Sequence, residues 1–189
     1  EPVPALENLS WTNTNEEIRI TGCNLDATGI LGIPDTIEGL PVTSIEPEAF
    51  LGSRWFFIKL PNSVTSIGTM AFDGCTRLEG ISIPESVVSI GPSAFSNCSS
   101  LTNVKLPTAL ASVDSFTFQN CINLRNVNLP NGLISIGGSA FQNCTKLAQL
   151  TIPNRVMTVG NSAFRDCSNL ISMTIPDQVE TIGISVLQG

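Results

Sequence analysis

Six prolines, Pro61, Pro84, Pro107, Pro130, Pro153 and Pro176, stand 23 residues apart. Cys75, Cys98, Cys121, Cys144 and Cys167 keep the same interval, and so do Phe72, Phe95, Phe118, Phe141 and Phe164. A fixed period of about 20–50 residues is the mark of a solenoid or propeller, and it overrides any element-by-element reading. Five full units run from Pro61 to Ile175, a sixth starts at Pro176, and a shortened one occupies residues 39–60. No single unit can bury its own apolar side, so neighbours must stack to make a core.

The repeats serve as an internal alignment. Leu101-x-x-Val104-x-Leu106 recurs as Leu124-x-x-Val127-x-Leu129, Leu147-x-x-Leu150-x-Ile152 and Leu170-x-x-Met173-x-Ile175. Apolar residues alternating with Ser, Thr, Lys or Asn describe a half-buried strand. A proline ends each strand, since it cannot donate to a ladder. Val-x-x-Ile follows as a second short extended piece. Gly-x-x-Ala-Phe-x-x-Cys comes next and is too short for a full helix, so it predicts one α or 3₁₀ turn. Gly74, Asn97, Asn120, Asn143 and Asp166 precede the cysteines. These residue types tolerate the left-handed conformation, which places the stop of the turn there. Asp114 replaces the glycine that opens the turn in Gly68, Gly91, Gly137 and Gly160. That substitution suits an N-cap and shows that positive φ is not demanded at the position.

The expected fold is a right-handed repeat solenoid with a parallel sheet on its concave face and short helical turns elsewhere. Helix content should stay below about 15%, well under that of ordinary domains. About seven rungs, the first at residues 30–33, would span roughly 35 Å at the usual strand spacing. Residues 1–40 depart from the repeat and read as an N-terminal cap over the apolar end of the stack, with residues 41–189 as one continuous solenoid. At the other end Val186-Leu187 replaces Ala-Phe and no cysteine follows. The expectation drawn from this is that the native chain continues past Gly189 or pairs end to end with a second copy.

The pattern L-x-x-V-x-I-P-x-S-V-x-S-I-G-x-x-A-F-x-x-C resembles the BspA-like, or treponemal-type, leucine-rich repeat of bacterial surface proteins. The cap is similar too, with I-T-G at 20–22, L-x-I-P at 31–34, G-L-P-V-T-S-I at 39–45 and A-F at 49–50. One departure separates it from common leucine-rich repeats. Ser63, Ser86, Ala109, Gly132 and Arg155 occupy the position where those carry an asparagine or cysteine ladder. The resemblance implies a curved solenoid, an extracellular or cell-surface bacterial location, and adhesion to protein partners.

Composition excludes several functions. The chain has no His, which removes His-based acid–base catalysis, Ser-His-Asp and Cys-His nucleophiles and His-ligated zinc. Nine Lys and Arg against 16 Asp and Glu give a net charge of −7, a poor balance for nucleic acid. The longest apolar run, Trp55 to Ile58, is far short of the ~20 residues of a membrane span. No charged-then-apolar leader is visible, and the chain starts at Glu1, which is equally consistent with processing or trimming.

No enzyme is expected. Each in-register cysteine is alone in its coil without a second ligand nearby, so the column reads as small, buried, inert thiols rather than as a metal centre. Adjacent-coil disulfides are the lesser alternative. Cys23 has no evident partner. Glu38, Asp73, Glu85, Asp114, Asp166 and Asp177 fall at irregular positions and do not form catalytic pairs. The catalytic and metal sites are therefore empty sets, and no cofactor is expected.

What remains is surface. Strand alternation directs Phe57, Lys59, Ser82, Asn103, Lys105, Asn126, Asn128, Gln149, Thr151, Ser172 and Thr174 outward. This nearly uncharged, amide-rich face suits hydrogen bonding to protein or glycan. A second row, Val88, Ala111, Ile134 and Met157, would make an apolar stripe if it faces out, and such patches often mark contacts. The functional expectation is a cell-surface or secreted binding and adhesion module. The alternative is a structural spacer or scaffold segment of a longer polypeptide, with end-to-end self-association.

Overall fold

The computed structural model describes residues 3–4 and 6–188. Glu1, Pro2 and Ala5 of the expected cap, and Gly189, on which the expectation about the chain's end bears, lie outside the described residues.

The chain winds as a parallel β-solenoid of 23-residue coils. A first row of strands comprises Thr28–Gly32, Arg54–Lys59, Gly80–Ser82, Asn103–Lys105, Asn126–Asn128, Gln149–Thr151 and Ser172–Thr174. Every pairing in it is parallel. The second row is Leu40–Ile45, Ser66–Ile67, Ser89–Ile90, Ser112–Val113, Ser135–Ile136, Thr158–Val159 and Thr181–Ile182. At the front, Leu9–Asn13 pairs antiparallel with Ile18–Cys23, which in turn runs parallel to Leu40–Ile45. The expected first rung is present, and it spans Thr28–Gly32.

The interior follows the repeat. Leu78, Leu101, Leu124 and Leu147, with Val64, Val87, Leu133 and Val156, are fully buried. Phe50, Phe72, Phe95, Phe118, Phe141 and Phe164 stack face to face, with ring centroids 5.0–5.5 Å apart. The coil spacing thus sets aromatic rings in the range where their contact adds to area burial.

The expected helical turn is corrected. Among the described residues the only helix is the 3₁₀ segment Leu6–Asn8, within the expected cap. The Gly-to-Cys segment is a third hydrogen-bonded row instead. Alternate amides close tight turns, as from Ala71 to Gly68, Asp73 to Met70 and Cys75 to Phe72. The amides between them cross to the next coil, as Met70, Phe72 and Gly74 donate to the Pro92, Ala94 and Ser96 carbonyls. A helix would point all of its donors along its own axis and leave the coil junction without bonds; the alternation satisfies both.

This zigzag demands left-handed residues at two columns. The residue before each cysteine is one, with φ of 59 to 69° at Gly74, Asn97, Asn120, Asn143 and Asp166, as the residue types predict. The other is Glu48, Met70, Ser93, Phe116, Ser139, Ser162 and Ser185, with φ of 53 to 62°. The sequence did not announce it.

The glycine column exists for close approach. A Cβ on Gly137 would lie 2.4 Å from Ser115 N, and one on Gly160 the same distance from Gly138 N. Asp114 is a member of this column that carries a Cβ. At its junction no ladder joins Ser89–Ile90 to Ser112–Val113 among the described residues, although the second row is paired at the other junctions from Leu40–Ile45 onward. Gly91 and Gly137 donate to the Ile67 and Val113 carbonyls, a bond Asp114 does not make to Ile90. A second interruption lies in the first row, between Asn126–Asn128 and Gln149–Thr151.

Candidate functional site

The structure puts every residue of the outward strand face in solvent. Phe57, Lys59, Ser82, Asn103, Lys105, Asn126, Asn128, Gln149, Thr151, Ser172 and Thr174 are all exposed, while Ile58, Ile81, Val104, Val127 and Leu150 between them are buried. The alternation of a pleated strand produces this sorting.

Polar partners order parts of the face. Asn126 Nδ2 donates to Asn103 Oδ1 at 2.8 Å, and Asn103 Nδ2 donates to Thr102 Oγ1 at 3.1 Å. Lys105 Nζ donates to Glu85 at 2.7 Å. Thr108 gives the same carboxylate its amide at 2.8 Å and its hydroxyl at 3.0 Å. Lys105 first, then the Thr108 amide and hydroxyl, draw the Glu85 carboxyl down to about 2. The pair offsets the charge of Lys105 on this face.

At the front of the face Phe57 lies across Gly80, where a Cβ would approach the ring to 3.1 Å. Ile30 pairs with Phe57 in register and is 48% exposed. Ile30 is a surface residue that the rung assignment missed. Alternation from buried Leu31 would have found it. A bulge between Gly29 and Ile30 adds Phe56 to the exposed residues.

The apolar row also faces solvent. Val88, Ile134 and Met157 are 56%, 42% and 41% exposed, and Ala111 is exposed beside them. Met157 donates its amide to Ile134 and Ile134 to Ala111, so the three stack coil on coil. Val88 stands across the Asp114 junction.

The cysteine column is buried and free of disulfides. Each thiol points at the Phe carbonyl of the preceding coil, as Cys98 Sγ to Phe72 O at 3.1 Å and Cys144 Sγ to Phe118 O at 3.2 Å. Burial pushes Cys98, Cys121 and Cys144 upward and Cys167 to about 12. Thiols held protonated are poor nucleophiles and poor metal ligands. Cys23 is half-buried and also raised to about 12 by desolvation. Among the described residues no three His, Cys, Asp or Glu side chains converge as metal ligands. No helix among them is long and apolar enough to cross a membrane.

An asparagine ladder is present in a different column from that of common leucine-rich repeats. Asn143 Nδ2 donates to Asn120 Oδ1, Asn120 to Asn97, and Asn97 to Asp73, at 2.7–2.8 Å. Its asparagines are the left-handed residues before the cysteines, where Asn is already favoured by the backbone, and it ends on Asp73, one residue before Gly74 of that column.

Comparisons with known proteins identify the family of this coil. The sequence profile of the BspA type leucine rich repeat region matches in six copies over residues 43–139 and 89–189. The chain belongs to that family. The solved leucine rich repeat protein of T. pallidum is similar at 32% identity and a TM-score of 0.86, over 97% of this chain and 86% of that one. A leucine rich cell surface protein from Faecalibacterium prausnitzii shares the fold at 23% identity and a TM-score of 0.56, over 95% of this chain and 72% of its own. A leucine-rich repeat protein from Bacteroides capillosus does so at 24% identity and 0.54, over 67% and 97%. No curated protein sequence matches significantly.

Proposed function

We propose that the chain is a non-enzymatic binding module, displayed on a bacterial surface or secreted, that recognises protein or glycan through the solenoid surface. The observation that carries this reading is the strand face itself. Eleven aligned, exposed, mostly uncharged side chains on a stacked scaffold form a long hydrogen-bonding surface with an aromatic at one end. Repeat solenoids use such extended surfaces for recognition. The BspA-type family and the cell-surface protein among its structural neighbours support the location. The apolar stripe offers a second contact surface.

Pull-down from host and cell-surface extracts, with Asn103, Asn128 and Thr151 replaced by Arg in a control, tests the reading. A partner captured by the unmodified chain and lost by the control supports it. Capture of nothing, or equal capture by both, overturns it. One observation favours the second reading, a spacer or scaffold segment. Ile175, Ile182 and Ile184 are 38%, 51% and 75% exposed, an apolar face suited to contact with a second copy. Concentration-dependent association in light scattering, abolished by Ile184→Glu, would favour it.

A further inference from the structure

We propose that the cleft where the first row parts binds a neutral saccharide, an inference that rests on the binding-module reading and names its ligand class. Between Asn126–Asn128 and Gln149–Thr151 the ladder stops, and a hollow of about 350 Å³ opens. A second, of about 260 Å³, continues it over Gln149, Thr151, Ser172 and Thr174. The first hollow alone falls at the lower end of small-molecule sites, about 300–1,000 Å³, which is room for a sugar ring or two rather than for a folded epitope.

The lining dictates the chemistry. Asn128, Asn131, Gln149 and Thr151 make no side-chain hydrogen bond to another protein group among the described residues, whereas Asn126 and Asn103 are tied to one another. Strand backbones are normally paired, and here two face each other without a ladder, adding donors and acceptors to the walls. No charged side chain lines either hollow. A charged ligand would find no counter-charge. An apolar ligand would leave several polar groups unmet, which costs free energy. Amides offer a donor and an acceptor on one side chain, and a hydroxyl both donates and accepts. A polyhydroxylated, uncharged ligand therefore matches the walls group for group. Leu129 and Pro153 supply apolar surface for the C–H face of a ring.

The test is an array of neutral gluco-, manno- and galacto-configured oligosaccharides, with sialylated and sulfated oligosaccharides as a separate arm, followed by calorimetry on each hit. The expected result is a neutral hit whose affinity falls at least tenfold in Gln149→Ala and in Thr151→Val. Arg77→Ala, on an exposed turn that lines neither hollow, should retain it. Saturation-transfer NMR on the unmodified chain checks contact without relying on a variant's folding. Binding of acidic sugars only, or equal loss in Arg77→Ala, would overturn the inference. Capture of a protein partner with no sugar retained would overturn it too, but would leave the binding-module reading standing. A chain that retains neither sugar nor protein would sink both.

Discussion

At the front of the stack, the Leu9–Asn13 and Ile18–Cys23 hairpin lies beside the shortened coil at residues 39–60, and Ile18, Ile20 and Ile45 are essentially inaccessible to water. At the back, Ile182 stands in the same row as Ile45 and is 51% exposed, while Leu187 stands in the phenylalanine column and is 55% exposed. The residue types are equivalent, so the difference does not come from them. Burial in this architecture is given to each coil by its neighbour. The energetics are then close to a sum of nearest-neighbour terms, and position along the stack decides what a side chain contributes.

The largest effect that would sharpen this comparison is alkaline, because it acts on several interior coils together. Cys98, Cys121 and Cys144 stay protonated when folded, with values raised by burial, whereas an unfolded thiol ionises near 8.5. Above that pH the unfolded chain binds fewer protons than the native one, so stability is intact below about pH 8.5 and falls as pH climbs. Each such thiol should remove roughly 1.4 kcal/mol per pH unit. Denaturant midpoints at pH 7, 9 and 10 check it, and a flat profile would contradict a buried column. In the same samples thiol reagents should find few groups in native protein and all six after denaturation without reductant.

Next comes the aromatic column. Phe141→Ala, flanked by rings on both sides, should cost about 3–5 kcal/mol. Leu187→Ala, in the same column at the uncovered coil, should cost less than about 1 kcal/mol. Equal shifts in denaturant melts would break the neighbour account. Smaller still is the glycine column. Gly137→Ala should cost about 1–3 kcal/mol by driving a methyl into the Ser115 backbone. Asp114→Gly should gain about 1 kcal/mol as second-row bonds form, with new amide-exchange protection at Ala111 and residue 114. Unchanged exchange there would acquit the aspartate. Ser139→Ala should shift stability by less than about 0.5 kcal/mol, since both side chains meet the same left-handed backbone.

The period made the interior readable. Proline, phenylalanine and cysteine columns each recur in register, and alternation sorted Asn103 and Lys105 from Val104. The third row was misread because a Gly-x-x-Ala-Phe-x-x-Cys stretch has helix-like apolar spacing, whereas its donors are claimed alternately by turns and by the next coil. Its second left-handed column carries Ser, Met, Phe and Glu, types with no shared preference for positive φ, so no residue signalled it. The glycine column was visible, but its cause is a backbone passing 2.4 Å from an imagined Cβ, a fact of packing between coils. Asp114 carried the signal of the second-row break; nothing in the repeat marks the break at Gln149–Thr151.

Those two breaks do not coincide. Where the second row parts at Asp114, Asn103 still pairs with Gly80 and Phe95 still donates to Thr117. Where the first row parts, Ser135 still pairs with Thr158 and Phe141 donates to Ala163. The joints are staggered, as in laid brick. A load drawn along the axis meets no plane on which all three seams are open, so a crack started at either opening must turn to advance. At each opening the other two rows stay hydrogen-bonded, so a load along the axis is shared by two intact seams.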